Sequence, residues 1–238
     1  MQTVKHKGSD DTQEQYKGIP VHTVPGVHQR IGEVLAKHLS PGSRVADLGA
    51  GDGALSLRLH DLGFEVVAFD LDTSGWKLKD LPCYQVDFDR DLSILDTKGP
   101  FAAICAVEVI EHLENPRSFL RGMIRAGGPG SLLVITSPNP LDTFSCITLY
   151  TRGIFNWFSR EHYLGGGHIS ILPYWLLDEH LKLLGACNRE WHFLGPFQHT
   201  VFWKRWVYRA VALLRRRLVK DEACCGHEGQ VCMAVVRL

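Results

Sequence analysis

The sequence predicts a doubly wound α/β fold, a mostly parallel sheet with helices on both faces. Three observations point to it. Short apolar runs alternate with helical stretches from residue 27 to the C-terminus. Most of those runs are apolar without interruption, the pattern of strands buried on both sides. The chain has 238 residues, enough for one domain with a sizeable core.

The elements follow in order. VHQRIGEVLAKHL (27–39) carries apolar residues with helical spacing and is stopped by Pro41-Gly42. RVADLG reads as a strand, ALSLRLHDLG (54–63) as a helix closed by Gly63, and FEVVAFD (64–70) and CYQVDFD (83–89) as strands. FAAICAV (101–107) is a fourth strand. NPRSFLRGMIRAGG (115–128) is a helix opened by Asn-Pro and stopped by paired glycines. SLLVIT (131–136) is a strand, PYWLLDEHLKLLGA (173–186) a helix, and REWHFLG and VCMAVVRL are closing strands. Two stretches break the alternation, 140–170 and 201–220. Insertions of this kind decorate the loop ends of α/β sheets, so both are candidates to face a substrate.

Composition narrows the class. Lys plus Arg equals Asp plus Glu at 26 each, so global charge predicts no polyanion partner. Residues 1–20 are polar, read as an N-terminal extension ahead of a domain over 21–238, and lack the apolar core of a signal peptide. No apolar run is long enough to cross a bilayer. Seven scattered cysteines suit a reduced, cytoplasmic protein. Cys224, Cys225 and His227 suggest a metal, but their spacing fits no zinc pattern.

VADLGAGDGA (45–54) sets three glycines at a strand-to-helix turn, where backbone N–H groups and the helix N-terminus can meet a ligand. Gly49, Gly51 and Ala54 also satisfy the dinucleotide pattern G-x-G-x-x-A, which keeps a nicotinamide-dependent oxidoreductase in view. Asp70 would bind a ribose under either reading. Asp47 separates the two. Its carboxylate would repel a pyrophosphate but attract the ammonium of S-adenosylmethionine. Asp87 adds an acceptor suited to an adenine amino group.

With VVAFDLD, QVDFD and AVEVIEHLENP following in order, the chain resembles the class I S-adenosylmethionine-dependent methyltransferases over roughly 27–190 plus the last strand. The resemblance implies a three-layer Rossmann-like fold whose seven-stranded sheet ends in a reversed hairpin. It also implies cofactor contacts from Asp47, Gly49, Gly51, Gly53, Asp70, Asp87 and Phe88.

EVIEH (108–112) sets Glu108, Glu111 and His112 at i, i+3 and i+4. On one helical turn the three heads would converge. Two carboxylates and an imidazole suit Mg²⁺ or Mn²⁺, with Zn²⁺ or Fe²⁺ as alternatives. His168, in GGGHIS, is the candidate fourth ligand, and His162 competes with it. E-x-x-E-H with a later histidine resembles the ubiquinone-biosynthesis O-methyltransferases and the small-RNA 3′-terminal 2′-O-methyltransferases, which implies a divalent cation holding a vicinal diol. Two other readings stay open here. One is a metal-free acid–base site; the other is a polar helix start favoured by the dipole.

Residues 140–170 are rich in aromatics (Phe144, Tyr150, Phe155, Trp157, Phe158, Tyr163) and read as a lid over a small or lipid-like acceptor. In 201–220 an apolar helical stripe is flanked by Lys and Arg with no acidic residue. It suits contact with a membrane surface, or a helix packed on the domain, and suits RNA less. The expected function is methyl transfer to a hydroxyl oxygen by Glu108, Glu111 and His112, directly or through a metal. The alternatives are RNA 2′-O-methylation, metal-free N-methylation, the oxidoreductase, and a catalytically silent binding protein.

Overall fold

A computed structural model describes residues 13–195, 202–218 and 228–238. Cys224, Cys225, His227, Lys220 and the first twelve residues of the expected extension lie outside them. The elements are β1 (Gln15–Tyr16), β2 (Ile19–Pro20), α1 (Val27–His38), β3 (Arg44–Leu48), α2 (Ala54–Asp61), β4 (Glu65–Asp70), β5 (Cys83–Gln85), α3 (Ser93–Lys98), β6 (Ala103–Ala106), α4 (Pro116–Gly127), β7 (Leu132–Pro138), α5 (Thr143–Arg152), α6 (Arg160–Gly166), α7 (Tyr174–Leu183), β8 (Asn188–Leu194), α8 (Phe202–Leu218) and β9 (Val231–Arg237). Two 3₁₀ turns, Thr73–Gly75 and Ile110–His112, follow β4 and β6.

Seven strands form one sheet in the order β5-β4-β3-β6-β7-β9-β8. The first five are parallel; β9 runs antiparallel to both β7 and β8. The expected fold class is the one observed, reversed hairpin included.

Side chains alternate across the sheet with period two. Ala46, Leu48, Ile104, Ala106, Leu133 and Ile135 face a core closed by Phe119, Leu120 and Met123 of α4 and Leu177 and Leu181 of α7. Val45, Ala103, Cys105, Leu132 and Val134 face the other way, onto Val27, Ile31 and Leu35 of α1 and Leu55 and Leu59 of α2. Both faces are buried, which is why the strands read as uninterrupted apolar runs. Helix ends follow local chemistry: Asn115 caps α4 by accepting from Ser118 N at 3.0 Å, with Pro116 at the first helical position.

Two features depart from the sequence reading and a third adds to it. Residues 13–20, assigned to a polar extension, form the β1–β2 hairpin; Ile19 is buried and the Tyr16 hydroxyl donates to Asp61 at 2.7 Å. α3 was not expected. The 140–170 insertion, read from the sequence only as a lid, contains two helices, α5 and α6. In it Tyr150 is 93% and Tyr163 56% exposed, while Phe144, Phe155, Trp157 and Phe158 are partly buried.

Strands β3 and β6 mark the point where successive connections leave toward opposite edges of the sheet, the place where α/β folds open a crevice. Because Ile104 sits at the centre of this sheet with no exposed surface, Ile104→Ala should lower unfolding free energy by about 2–5 kcal/mol. A urea titration followed by circular dichroism measures this, and an unchanged midpoint would contradict the packing described.

Candidate functional site

The cofactor loop begins where β3 ends. Gly49 has φ 73°, and both Gly49 N and Ala50 N donate to Phe69 O at the end of β4, at 2.8 and 3.1 Å. A Cβ on Gly49 would collide with Val109 Cγ2. Gly51 N donates to Asp70 Oδ2 at 2.7 Å, and Gly53, at φ 101°, turns the chain into α2. Asp70 Oδ1 accepts from Asp72 N at 2.9 Å. Each oxygen of Asp70 keeps a second lone pair with which to accept from a ribose hydroxyl.

Asp47 lies beneath this loop, 1% exposed, accepting from Ser56 Oγ at 2.6 Å. Burial pushes its carboxyl up to about 6, with the Ser56 bond opposing and the Asp70 charge adding to the rise. Asp87, half-buried just after β5, pairs with Arg90 at 3.1 Å. The Phe88 ring turns into the core against Phe119, 5.3 Å between centroids, so its backbone is the part left for a ligand. Asp87, Asp70 and Asp47 thus stand at the ends of three adjacent strands. At about 4.8 Å per strand spacing, the row is roughly 10 Å long, the reach of an extended nucleoside.

One strand further along the mouth comes EVIEH. The three side chains do not share a helical face, because Ile110–His112 is a 3₁₀ turn and Glu108 sits at φ 53°. Glu108 N donates to Thr136 Oγ1 at 3.0 Å, and that hydroxyl donates back to Glu108 Oε1 at 2.7 Å. The ring so closed holds Glu108 in its left-handed conformation and points it toward β7. Glu111, His112 and His168 do come together: one ligand atom of each lies within 4.8 Å of the others. Glu108 stands outside that group, yet near enough for its charge to raise the Glu111 carboxyl further.

His168 reaches the site through backbone bonds. Ile169 N and Ser170 N both donate to Glu111 O at 2.9 Å, and Ser170 Oγ donates to Leu113 O at 2.8 Å. His168 Nδ1 faces Trp157 O at 2.8 Å; a carbonyl only accepts, so Nδ1 carries the proton and Nε2 keeps its lone pair. His162 is engaged otherwise, in the Ser159 capping box at the start of α6.

The electrostatics of the cluster are unusual. Glu111 is fully buried, and neither carboxylate oxygen has a hydrogen-bond partner among the described residues. Burial raises it well above the ordinary carboxylate range, and raises Glu108 too, with Thr136 opposing. Burial lowers His112, and lowers His168 to about 4. Both imidazoles are neutral at pH 7, the form that ligates metals.

Some residues of the cleft were not foreseen. Pro20, His22, His28 and Val107 line the same hollow as Asp47, Gly49 and Gly51. His28 is buried with Nδ1 unpartnered among the described residues, and burial lowers it to about 4. Its sequence signal, one polar residue within an apolar helical stripe, is too common to single out.

An α/β crevice with a glycine loop at its mouth and a row of acids at three adjacent strand ends is the frame of an enzyme that takes a nucleoside cofactor. A family model described as a methyltransferase domain matches residues 21–205, and the chain belongs to that family, the class I S-adenosylmethionine-dependent methyltransferases. The oxidoreductase reading of G-x-G-x-x-A is thereby set aside. The chain is 31% identical over 128 residues to a ubiquinone biosynthesis O-methyltransferase of Xanthomonas campestris pv. campestris, covering 50% of this chain and 52% of that protein. A Xanthomonas oryzae pv. oryzae protein of the same name is 33% identical over the same shares. The aligned region spans about half the length of these relatives. Among solved structures, a methyltransferase from Archaeoglobus fulgidus superposes with a TM-score of 0.60 at 17% identity, over 89% of this chain and 94% of its own. The plantazolicin methyltransferase BamL, solved with a substrate analogue and S-adenosylhomocysteine, gives 0.55 at 13%, over 89% and 83%. These two likenesses concern the fold.

The raised Asp47 carboxyl carries a signed consequence. In the free protein Asp47 takes up a proton as pH falls through about 6, and the neutral acid no longer attracts an ammonium group. S-adenosylhomocysteine affinity should therefore be level above pH 7 and weaken below 6, by up to about tenfold per pH unit. The same proton favours the unliganded fold, because the unfolded chain holds it less tightly. Calorimetric titrations across this range test the point, with Asp47→Asn binding weakly and showing a flattened profile.

Proposed function

We propose that the protein transfers the methyl group of S-adenosylmethionine to a hydroxyl oxygen of a small or lipid-like acceptor, with a divalent cation held by Glu111, His112 and His168. The observation that carries this reading is the Glu111 carboxylate. It is sealed from water, has no hydrogen-bond partner among the described residues, and faces two neutral imidazoles. An ionised carboxylate so placed costs several kcal/mol unless a cation compensates it. The donor set, one carboxylate and two nitrogens, fits Mn²⁺, Fe²⁺ or Zn²⁺ better than Mg²⁺, which prefers oxygen. The His168 Nδ1 bond to the Trp157 carbonyl supports this, since an acceptor on one ring nitrogen fixes the other as the ligating one.

The remaining chemistry belongs to the chain's own residues. Asp47 and the glycine loop hold the amino-acid end of the cofactor, and Asp70 and Asp87 hold its ribose and adenine. This spacing leaves the methyl group near the junction of β3 and β6, beside Glu108. A cation held by Glu111, His112 and His168 would lower the pKa of an acceptor hydroxyl and hold its oxygen in place. Glu108, raised by burial and braced by Thr136, is suited to take the hydroxyl proton on its carboxylate. The acceptor oxygen then bonds to the methyl carbon as the carbon–sulfur bond breaks, and the sulfonium becomes a neutral thioether. Alignment of the three atoms supplies much of the rate, with effective molarities of about 10⁵ M or more for well-oriented reactants. The half-length likeness to O-methyltransferases supports the choice of oxygen as acceptor.

The test is metal binding to stripped protein with S-adenosylhomocysteine present. Wild type should bind Mn²⁺, and Glu111→Gln or His168→Ala should weaken it by more than the roughly 10–100-fold that losing an outer-shell partner costs. If the product binds tightly while Mn²⁺, Fe²⁺ and Zn²⁺ do not, the metal reading fails and Glu108 acts alone as base. Turnover on no hydroxylated acceptor, with cofactor bound, would favour a silent binding protein.

A further inference from the structure

Helix α8 packs against the domain by a narrow stripe of mixed polarity. The side chains turned inward are Tyr208, Val211, Ala212 and Arg215, a single helical stripe. Tyr208 OH donates to Glu228 Oε2 at 2.6 Å, and Glu228 Oε1 accepts from Thr143 Oγ1 at 2.5 Å, which ties the helix to the start of α5. A surface helix ordinarily buries its apolar stripe and shows its charges. Here large apolar side chains face outward. Val207, Leu213, Leu214 and Leu218 are 49%, 61%, 56% and 70% exposed, and Trp206 is 58% exposed beside them. At 100° per residue they fall on one side of the helix, an arc that begins opposite the packed stripe at Trp206 and Leu213 and runs round to its edge at Leu218. Arg209, Arg216 and Arg217 are exposed at or within the rim of that face, and residues 202–218 contain no acid. Leu149 and Tyr150 of α5, which lies against α8, add further exposed apolar surface.

We infer that the outward face of α8 docks on an anionic lipid surface, with its leucines and Trp206 at the acyl boundary and its arginines at the headgroup phosphates. The chemistry is complementary on both counts: an apolar strip needs a medium to enter, and flanking guanidiniums snorkel to phosphate. A nucleic acid would satisfy the arginines but leave the leucines in water. The helix is joined to the lid that follows β7, so docking would set the mouth of the sheet beside the bilayer. No residue of this face belongs to the cofactor or acid–histidine sites, and the inference stands apart from the methyl-transfer reading.

Sedimentation with vesicles decides it. Wild type should pellet with phosphatidylglycerol–phosphatidylcholine vesicles and far less with phosphatidylcholine alone, and salt should weaken the binding. Leu213→Glu with Leu214→Glu should reduce partitioning about tenfold or more. Arg209→Gln with Arg217→Gln should weaken binding and flatten its salt dependence. S-adenosylhomocysteine affinity should be unchanged in both variants, which shows them folded and keeps this test separate from that of methyl transfer. Three results would overturn the inference: no binding of wild type to anionic vesicles, binding indifferent to the Leu213 and Leu214 changes, or a wild-type dimer that those changes render monomeric. The last would assign the face to a second copy of the chain.

Discussion

Gly49 and Val109 face each other where two adjacent parallel strands end, and no side-chain carbon fits between them. Gly49 is the first residue after β3 and turns through φ 73°; Val109 follows Glu108, at φ 53°, after β6. A larger residue at 49 would be strained twice, by its backbone angle and by the valine methyl. This close approach lets the cofactor loop and the EVIEH turn occupy neighbouring positions at the crevice. The rest of the site hangs from it. Gly51 reaches Asp70 one strand away on one side, and Thr136 reaches Glu108 one strand away on the other. Each link spans a single strand spacing, so the sheet's register sets the order in which cofactor and acceptor groups are met.

Two buried carboxylates then define the electrostatics, and the contrast between them is informative. Asp47 is 1% exposed but keeps a strong bond from Ser56, and its carboxyl rises only to about 6. Glu111 has no such bond, has Glu108 nearby, and rises further. At pH 7 Asp47 is ionised, because the Ser56 bond limits its rise. Burial and the Glu108 charge instead push Glu111 toward its protonated form. The two nearby amides that reach Glu111, Ile169 N and Ser170 N, both donate to its backbone carbonyl.

Much of this was legible in the chain. Uninterrupted apolar runs marked strands covered on both faces, and the glycines with Asp47 and Asp70 do come together at the end of β3 and β4. The convergence on EVIEH was misread in one respect: spacing alone assumed a helical turn, while the Thr136 hydroxyl, twenty-eight residues on, captures Glu108 and the turn tightens to 3₁₀. Such a bond leaves no local trace. The hairpin over 13–20 was missed because two-residue strands carry no periodicity, and its order comes from contacts with α2 such as Tyr16 to Asp61. His28 was missed because burial, not sequence, makes an imidazole unusual.

The lid shows why local and distant information cannot be separated here. The aromatic residues of 140–170 were expected to cap an acceptor, and a hollow of about 390 Å³ does lie among Phe144, Phe155, Trp157 and Arg152. The same stretch also builds the histidine site. Trp157, at φ 68°, turns its carbonyl onto His168 Nδ1; the Phe158 ring packs on the His168 imidazole at 5.7 Å; His162 closes the cap of the helix that leads back to it. A change that reshapes the hollow by moving Trp157 therefore also removes the acceptor of the His168 Nδ1 proton, and with it the fixed orientation of Nε2. The hollow and the acid–histidine cluster share one segment, so substitutions at its centre alter both.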